Sequence, residues 1–354
     1  MPVRVTGRKE GTMTQNLLIS RRHFVAGAGA ALGMMPFFGS GAFAQERTSI
    51  TTAFGWVPNV QYAGHWVALE NGYFAEEGID AEHLPGGPNA PQSLVTLATG
   101  NAQVAHGQWL PLLDARARGN DFVMIGANFP VNPAGVISLP GRPIRQPSDL
   151  VGARILAQVE SDRQIIETIF ALNGLEDDYT FVPSGFSPEP LIAGDGDVYM
   201  AFVTNQPITL EQMGMVAGED FIVTLLADLG YVQPGVIFVT ERATLESRRD
   251  ELVRYLRALL RGWQTNAEDP EYAARLVVEK YGADLGLDLN QQIRQNELQI
   301  PYVEAPDGRG MFWLDEAMVT GPMYDVARAQ ERELPASLED IYDMSLLAEA
   351  QASL

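Results

Sequence analysis

The pattern of apolar and polar residues after position 47 predicts short strands that alternate with helices. β-Branched apolar runs are each followed by a stretch of helical periodicity, and glycines stand where several of these helices would end. The predicted strands are 49–54, 79–84, 102–106 and 122–127, and the predicted helices between them are 62–71, 91–99 and 110–118. This alternation predicts a parallel sheet with helices packed on both of its faces.

A second block of the same kind follows, and two similar extended segments flank it. Its predicted strands are 154–157, 179–182 and 197–203, with a predicted helix over 161–172. The flanking segments, 135–139 and 235–240, predict paired crossings between two lobes. After Thr240 the pattern is helical, with predicted helices over 246–266, 271–281, 289–298, 314–328 and 338–349. The chain is therefore predicted to be a two-lobed α/β protein with a two-strand hinge, in which lobe 2 (136–236) is inserted into lobe 1 (45–135 and 237–354).

Residues 1–44 predict an export signal. The adjacent Arg21 and Arg22 precede a short apolar stretch, and Ala42-Phe43-Ala44 offers small residues at a cleavage site. An arginine pair before a mild apolar stretch is typical of the twin-arginine pathway. We therefore expect cleavage after Ala44 and a periplasmic protein. No later stretch has the 18 or more consecutive apolar residues of a membrane span.

Composition narrows the classes of function. The net charge of −21 disfavours nucleic acid as a partner, and the absence of cysteine excludes disulfides, thiolate metal sites and cysteine nucleophiles. His65, His83 and His106 have no metal-site spacing, and no phosphate-binding loop, nucleophile elbow or dinucleotide fingerprint is present. The sequence thus predicts no catalytic residue, no metal and no cofactor.

Candidate ligand-binding residues follow the predicted strands, because ligands bind beyond the carboxyl ends of strands in open sheets. They are Trp56, Asn59, Tyr62, Trp109 and Asn128 in lobe 1, and Glu160 and Asn205 in lobe 2. Rings stack on flat ligands, amides offer donors and acceptors, and a carboxylate accepts from an amino group. The set favours a planar nitrogen heterocycle. A small anion at the start of the helix near Ser161 stays open, although no arginine lies at these loop tips.

A continuous stretch from Gly55 to Ile79 resembles a known periplasmic family. It contains GWVPNVQYA and, further on, VALENGYFAEEGI; Ala115–Gly119, Ser148–Gly152 and the Gly-Asp before Val198 fit the same pattern. These segments resemble the binding proteins for sulfonates, nitrate, thiamine pyrimidine precursors and riboflavin, together with the fungal thiamine-pyrimidine synthase. The resemblance implies a class II periplasmic binding protein fold and a monomer that delivers its ligand to an ABC permease and ATPase.

Three details of the resemblance bear on the ligand. Glu160 stands where pyrimidine binders place a glutamate against the aminopyrimidine, which favours a thiamine pyrimidine precursor. Tyr62 stands where those proteins usually carry histidine, whereas Pro58-Asn59-Val60-Gln61 before an aromatic is similar to the riboflavin branch. Riboflavin, sulfonate and nitrate therefore stay open as ligands.

Two other functions remain open at this point. A secreted enzyme of the synthase type would need the histidine and the cysteine-rich segment of that synthase, and this chain has neither. A periplasmic sensor would bind ligand with the same residues and present it to a signalling protein. The sequence predicts a transport receptor and not an enzyme.

Overall fold

The computed structural model of the protein describes residues 47–87 and 90–354. The predicted export signal, residues 1–44, lies outside the described residues. Among the described helices, none is both long enough and apolar enough to cross a bilayer.

The described residues form ten strands in two five-stranded sheets. The strands are β1 (Thr48–Ala53), β2 (Ile79–Leu84), β3 (Val104–Gly107), β4 (Phe122–Phe129), β5 (Ala134–Ser138), β6 (Ala153–Ala157), β7 (Tyr179–Pro183), β8 (Val198–Phe202), β9 (Ile222–Leu225) and β10 (Val236–Glu241). The first sheet has the order β2-β1-β3-β10-β4, and the second has the order β7-β6-β8-β5-β9. Helices surround both sheets, so the predicted two-lobed α/β fold is confirmed.

Fourteen α-helices are described around these sheets. They are α1 (Ala63–Glu70), α2 (Tyr73–Glu76), α3 (Ser93–Ala98), α4 (Trp109–Ala117), α5 (Ser161–Leu172), α6 (Glu189–Ile192), α7 (Gln206–Gln212), α8 (Arg242–Ser247), α9 (Arg249–Glu268), α10 (Pro270–Leu276), α11 (Leu289–Val303), α12 (Glu316–Met318), α13 (Tyr324–Ala329) and α14 (Ser345–Ala352). The single helix predicted over 314–328 is divided, because a π-helical turn at Val319–Met323 contains Pro322.

Both sheets are mixed: each combines the predicted parallel strands with one strand that runs antiparallel to its neighbours. β1 runs parallel to β2 and β3, but β10 is antiparallel to β3 and β4. In the second sheet β6 runs parallel to β7 and β8, and β5 is antiparallel to β8 and β9. In each sheet the reversed strand is the first one that the chain forms after crossing from the other lobe.

The crossings themselves lie beside these strands. The segments 135–139 and 235–240, predicted to pair as crossings, instead lie in β5 and β10, one in each sheet. The chain crosses between the lobes just before each of them, in residues 130–133 (the first crossing) and 230–235 (the second crossing). The amide of Gly235 in the second crossing donates to the carbonyl of Phe129 at 2.8 Å. A Cβ on Gly235 would lie 2.8 Å from Cδ of Pro133, so glycine permits the two crossings to lie side by side.

The packing of α1 against α9 forms much of the core of lobe 1. Gly64 of α1 leaves the space that the indole of Trp263 occupies, and Gly262 of α9 lies against the backbone of α1. Trp66 and Trp263 are both buried. On the rim of this contact Arg257 donates two hydrogen bonds to the carboxylate of Glu77, at 2.9 and 2.8 Å. α9 thus holds α1 and the end of α2 in place in lobe 1.

Candidate functional site

A cavity of about 560 Å³ lies between the two sheets, and both lobes line it. Lobe 1 contributes the loop after β1, the start of α3 and the end of β3, while lobe 2 contributes the loop between β6 and α5 and the end of β8. The two crossings supply the floor between them, including Asn132 and Gln233. The cavity therefore lies beyond the carboxyl ends of parallel strands, as predicted for a ligand site.

The lining of this cavity is polar but poor in positive charge. It contains eight amide side chains and two carboxylates, and the described lining residues include no lysine or arginine. The amides are Gln61, Gln92, Gln108, Asn132, Gln158, Asn205, Gln206 and Gln233. An anionic ligand would meet two carboxylates and no lysine or arginine among these lining residues. A neutral polar ligand would meet both hydrogen-bond donors and acceptors.

Trp56 is the aromatic residue of the predicted set that lines the cavity. Its ring is partly buried and meets Phe186 of lobe 2 edge to face, with 5.3 Å between ring centroids. Phe186 follows β7 and is half exposed. The two rings therefore join the lobes at the cavity, and the free part of the Trp56 surface is available for stacking on a flat ligand.

Glu160 and Asp162 are the two carboxylates of the lining, and they differ in environment. The Glu160 side chain is 76% exposed and accepts a hydrogen bond from Nε of Arg163 at 2.6 Å. Asp162, in the first turn of α5, is partly buried, and its Oδ2 accepts from the amides of Gln158 and Val159 at 3.0 and 3.2 Å. Burial raises the pKa of Asp162 to about 6. Sequence reasoning singled out Glu160 and missed Asp162.

The start of α5 does not offer free amides to an anion in the way the sequence allowed. The carboxylate of Asp162 already accepts from the two amides that precede the helix, and it places negative charge at the helix N-terminus. Nε2 of Gln158 donates to the carbonyl of Met200 at 2.7 Å, which fixes this loop to the end of β8.

Asn205 lines the cavity at the start of α7 and also connects the lobes. Its Oδ1 accepts from Nε2 of Gln291 at 2.9 Å, and the same nitrogen donates to Oγ1 of Thr209 at 3.1 Å. No partner within the described residues accepts from Nδ2 of Asn205, so this donor is available to a ligand.

Tyr62 and Trp109 lie in the core behind the cavity and do not line it in this conformation. Tyr62 is 1% exposed and stacks on Phe54, with 3.9 Å between ring centroids. Trp109 is 2% exposed, and its Nε1 donates to the carbonyl of Met323 at 2.6 Å. Both rings are turned inward because they close the apolar core of lobe 1, so of the predicted aromatic residues only Trp56 reaches the cavity.

Asn59 and Asn128 are buried as well, and they shape the loop that carries Trp56. Oδ1 of Asn59 accepts from the amide of Gln61 at 2.9 Å, and Nδ2 of Asn128 donates to the carbonyl of Gln61 at 3.2 Å. The side chain of Gln61 itself lines the cavity. The two asparagines therefore hold in place a residue that can contact ligand.

Three of the four histidines, His65, His83 and His106, gather around Phe54 in lobe 1. Its ring centroid lies 5.1 Å from those of His65 and His106 and 5.8 Å from that of His83. Burial lowers the pKa of His65 well below its ordinary range, lowers that of His106 to about 3 and also lowers that of His83. No group of side chains arranged to hold a metal ion occurs among the described residues.

Three further lining residues were not among the predicted ligand contacts. Tyr231 and Gln233 lie in the second crossing, and His106 lies in β3, one residue before its end. Nε2 of Gln233 and Nδ1 of His106 are buried and have no hydrogen-bond partner within the described residues. His106 is the last residue of the predicted strand 102–106, which was a usable signal, but nothing in the local pattern of 230–235 indicates a binding site.

Comparison with known proteins places this architecture in a family. The NMT1/THI5 like family matches residues 59–273, which is more than half of the chain. The chain belongs to the NMT1/THI5-like family. The match begins at Asn59, where the loop after β1 ends, and includes the loop before α5 and both crossings.

Curated relatives of this family member include binding proteins and an enzyme. A riboflavin-binding protein, RibY, of Chloroflexus aurantiacus is 27% identical over 77% of this chain and 78% of its own length. A 4-amino-5-hydroxymethyl-2-methylpyrimidine phosphate synthase of Legionella pneumophila is 28% identical, over 67% and 75%. A formylaminopyrimidine-binding protein of Halalkalibacterium halodurans is 24% identical, over 73% and 79%.

Among solved structures, the periplasmic aliphatic sulphonate-binding protein SsuA of Escherichia coli is similar to this NMT1/THI5-like protein. It aligns with a TM-score of 0.57 and 16% identity, over 80% of this chain and 87% of its own. At that identity the likeness shows a shared fold. It agrees with the periplasmic binding protein architecture that the sequence predicted.

Proposed function

We propose that the protein is a periplasmic receptor that binds a small planar nitrogen heterocycle and delivers it to an ABC importer. A thiamine pyrimidine precursor is the favoured ligand. The observation that carries the proposal is the lining of the cavity between the lobes, which combines amides, two carboxylates and Trp56 without a lysine or arginine among its described residues. Such a lining suits a flat, uncharged or protonated ring and repels sulfonate or nitrate.

The relatives support the same class of ligand. Two of them are named for pyrimidines and one for riboflavin. Riboflavin has no free amino group on its ring system, whereas an aminopyrimidine would offer its amino group to a cavity carboxylate. This difference favours the pyrimidine, and riboflavin is the second candidate because of the relative that binds it.

The residues of this chain suit a binding receptor better than an enzyme of the synthase type. One relative is named a synthase, but the chain has no cysteine, and tyrosine stands at position 62 where the resemblance to the fungal synthase would require histidine. The ring of Tyr62 is buried against Phe54. The proposal therefore assigns binding and release to the cavity and no chemical step.

Replacing Trp56 by alanine is expected to weaken ligand binding about thirtyfold, because loss of a buried aromatic contact typically costs about 2 kcal/mol. The ligand is first found by thermal shift with 4-amino-5-hydroxymethyl-2-methylpyrimidine, formylaminopyrimidine, riboflavin, taurine and nitrate, and titration calorimetry then measures its affinity. Trp313→Ala is the matched control, because Trp313 lies outside the cavity lining. Stabilisation by taurine or nitrate alone would refute the heterocycle proposal.

We also propose that the twin-arginine pathway exports the protein. The pathway reads the two arginines as a pair, so the double substitution Arg21→Lys and Arg22→Lys is expected to hold the precursor in the cytoplasm. Cell fractionation with immunoblotting measures the outcome, and Arg4→Lys with Arg8→Lys is the charge-matched control. A normal periplasmic amount of the Arg21/Arg22 variant would contradict the assignment.

A further inference from the structure

The two carboxylates of the cavity, Glu160 and Asp162, are not equally suited to accept a hydrogen bond from a ligand. Glu160 is largely exposed and ion-paired with Arg163. Asp162 is fixed by two backbone amides that both bind Oδ2, which leaves Oδ1 without a hydrogen-bond partner within the described residues. Asp162 thus presents one oriented, unpaired acceptor from lobe 2 to the cavity.

Among the described residues, no arginine, lysine or histidine forms an ion pair with Asp162. Tyr199 of β8 and Tyr231 of the second crossing lie near it, and burial together with the charge of Asp162 raises the pKa of both tyrosines. Arg163, the next residue, is occupied with Glu160. A partly buried carboxylate without a basic partner is stabilised by further hydrogen bonds, and a ligand in the cavity can supply one to Oδ1.

We propose that Asp162, and not Glu160, selects the ligand by accepting a hydrogen bond at Oδ1 from an exocyclic amino group or a protonated ring nitrogen. This inference rests on the proposed function and narrows its ligand to heterocycles that carry such a donor edge. Amino heterocycles are favoured over their oxo counterparts, because a carbonyl oxygen placed against Oδ1 would set acceptor against acceptor. The two backbone amides hold Oδ1 in place before the ligand arrives.

The test compares two probes, 4-amino-5-hydroxymethyl-2-methylpyrimidine and its 4-oxo analogue, by titration calorimetry. In Asp162→Asn the side-chain oxygen can still accept from the amides of Gln158 and Val159, while the new NH₂ group takes the position of Oδ1. We expect the affinity of the amino probe to fall at least tenfold and that of the oxo probe to hold or rise. Asp228→Asn, at an exposed site outside the cavity, is the neutral control.

The ratio of the two affinities distinguishes recognition from damage to the fold, because a smaller folded fraction lowers the binding of both probes alike. Glu160→Gln decides between the carboxylates. If this variant reverses the preference and Asp162→Asn keeps it, the inference is overturned and the proposed function stands. An equal loss of both probes in Asp162→Asn also overturns it. If the wild-type protein binds no heterocycle, the proposed function falls and the inference falls with it.

Discussion

Alanine at Gly262 is expected to lower the free energy of unfolding by about 3 kcal/mol, the upper part of the range for overpacked cores. A Cβ at this position would collide with the carbonyl oxygen of Gly64 and would lie 2.8 Å from Cβ and 3.0 Å from N of Ala68. Backbone atoms of α1 form most of this contact, so relief requires that α1 and α9 move apart. Urea unfolding, with the slope checked against the wild-type value, measures the loss.

Gly321→Ala is the matched control for this prediction. Gly321 also lies in a helical segment, but nothing approaches its Cβ position within 4 Å. Alanine in a helix loses less conformational entropy than glycine on folding, so the control should be neutral or slightly stabilising. Equal stability of the two variants would show that α1 and α9 are not in contact as described.

Acidification from pH 7 to pH 5 is expected to lower the free energy of unfolding by about 2.5 kcal/mol, the net of a loss of about 3.8 kcal/mol at His65 and His106 and a gain of about 1.3 kcal/mol at Asp162. Both histidines are buried, and burial holds their pKa below the ordinary value of about 6.5. Below pH 6.5 the unfolded chain therefore binds more protons than the folded chain, and the stability that the neutral histidines provide is lost as the pH falls; for His106 the loss continues to about pH 3. Each histidine that stays neutral loses up to about 1.4 kcal/mol per pH unit in that window.

Asp162 acts in the opposite direction. Its pKa is raised to about 6, so the folded state binds more protons than the unfolded state does as the pH falls below 6. Asp162→Asn should therefore make the loss of stability on acidification steeper, and His65→Leu should make it shallower. Urea unfolding at both pH values measures the two slopes, and an identical pH dependence in wild type and His65→Leu would contradict the prediction.

Nine of the ten described strands and most helices were predictable because their signals are local, whereas β9 was not among the predicted strands. β2 has the predicted bounds, and the predicted helix over 161–172 coincides with α5. The direction of β5 and β10 was not predictable, because a run such as Gly-Val-Ile carries no information about the lobe from which the chain arrives. Pro322 marks the break in the predicted helix over 314–328, but the π-helical turn there depends on packing around it.

The candidate site was predictable in position but only partly in its residues. Trp56, Glu160 and Asn205 line the cavity, as does Gln61 of the same loop. Tyr62 and Trp109 also follow predicted strands, just as Trp56 does. Their side chains point inward because Tyr62 stacks on Phe54 and Trp109 donates to the carbonyl of Met323, and the local sequence pattern does not reveal these contacts. Only one residue separates Glu160 from Asp162, and the path of the loop decides which carboxylate is the more buried. The ligand contacts themselves stay predictions.

The place of β4 in the sheet has a consequence for synthesis of the chain. Its eight residues are all buried, and its sheet neighbour is β10. Its other side meets the segment near Ile341, whose carbonyl accepts from the amide of Met124. Both partners leave the ribosome after β4, and the second of them is more than 200 residues further along the chain. An apolar strand with open edges therefore waits while these residues are made, and lobe 1 is completed only after the segment near Ile341 has emerged.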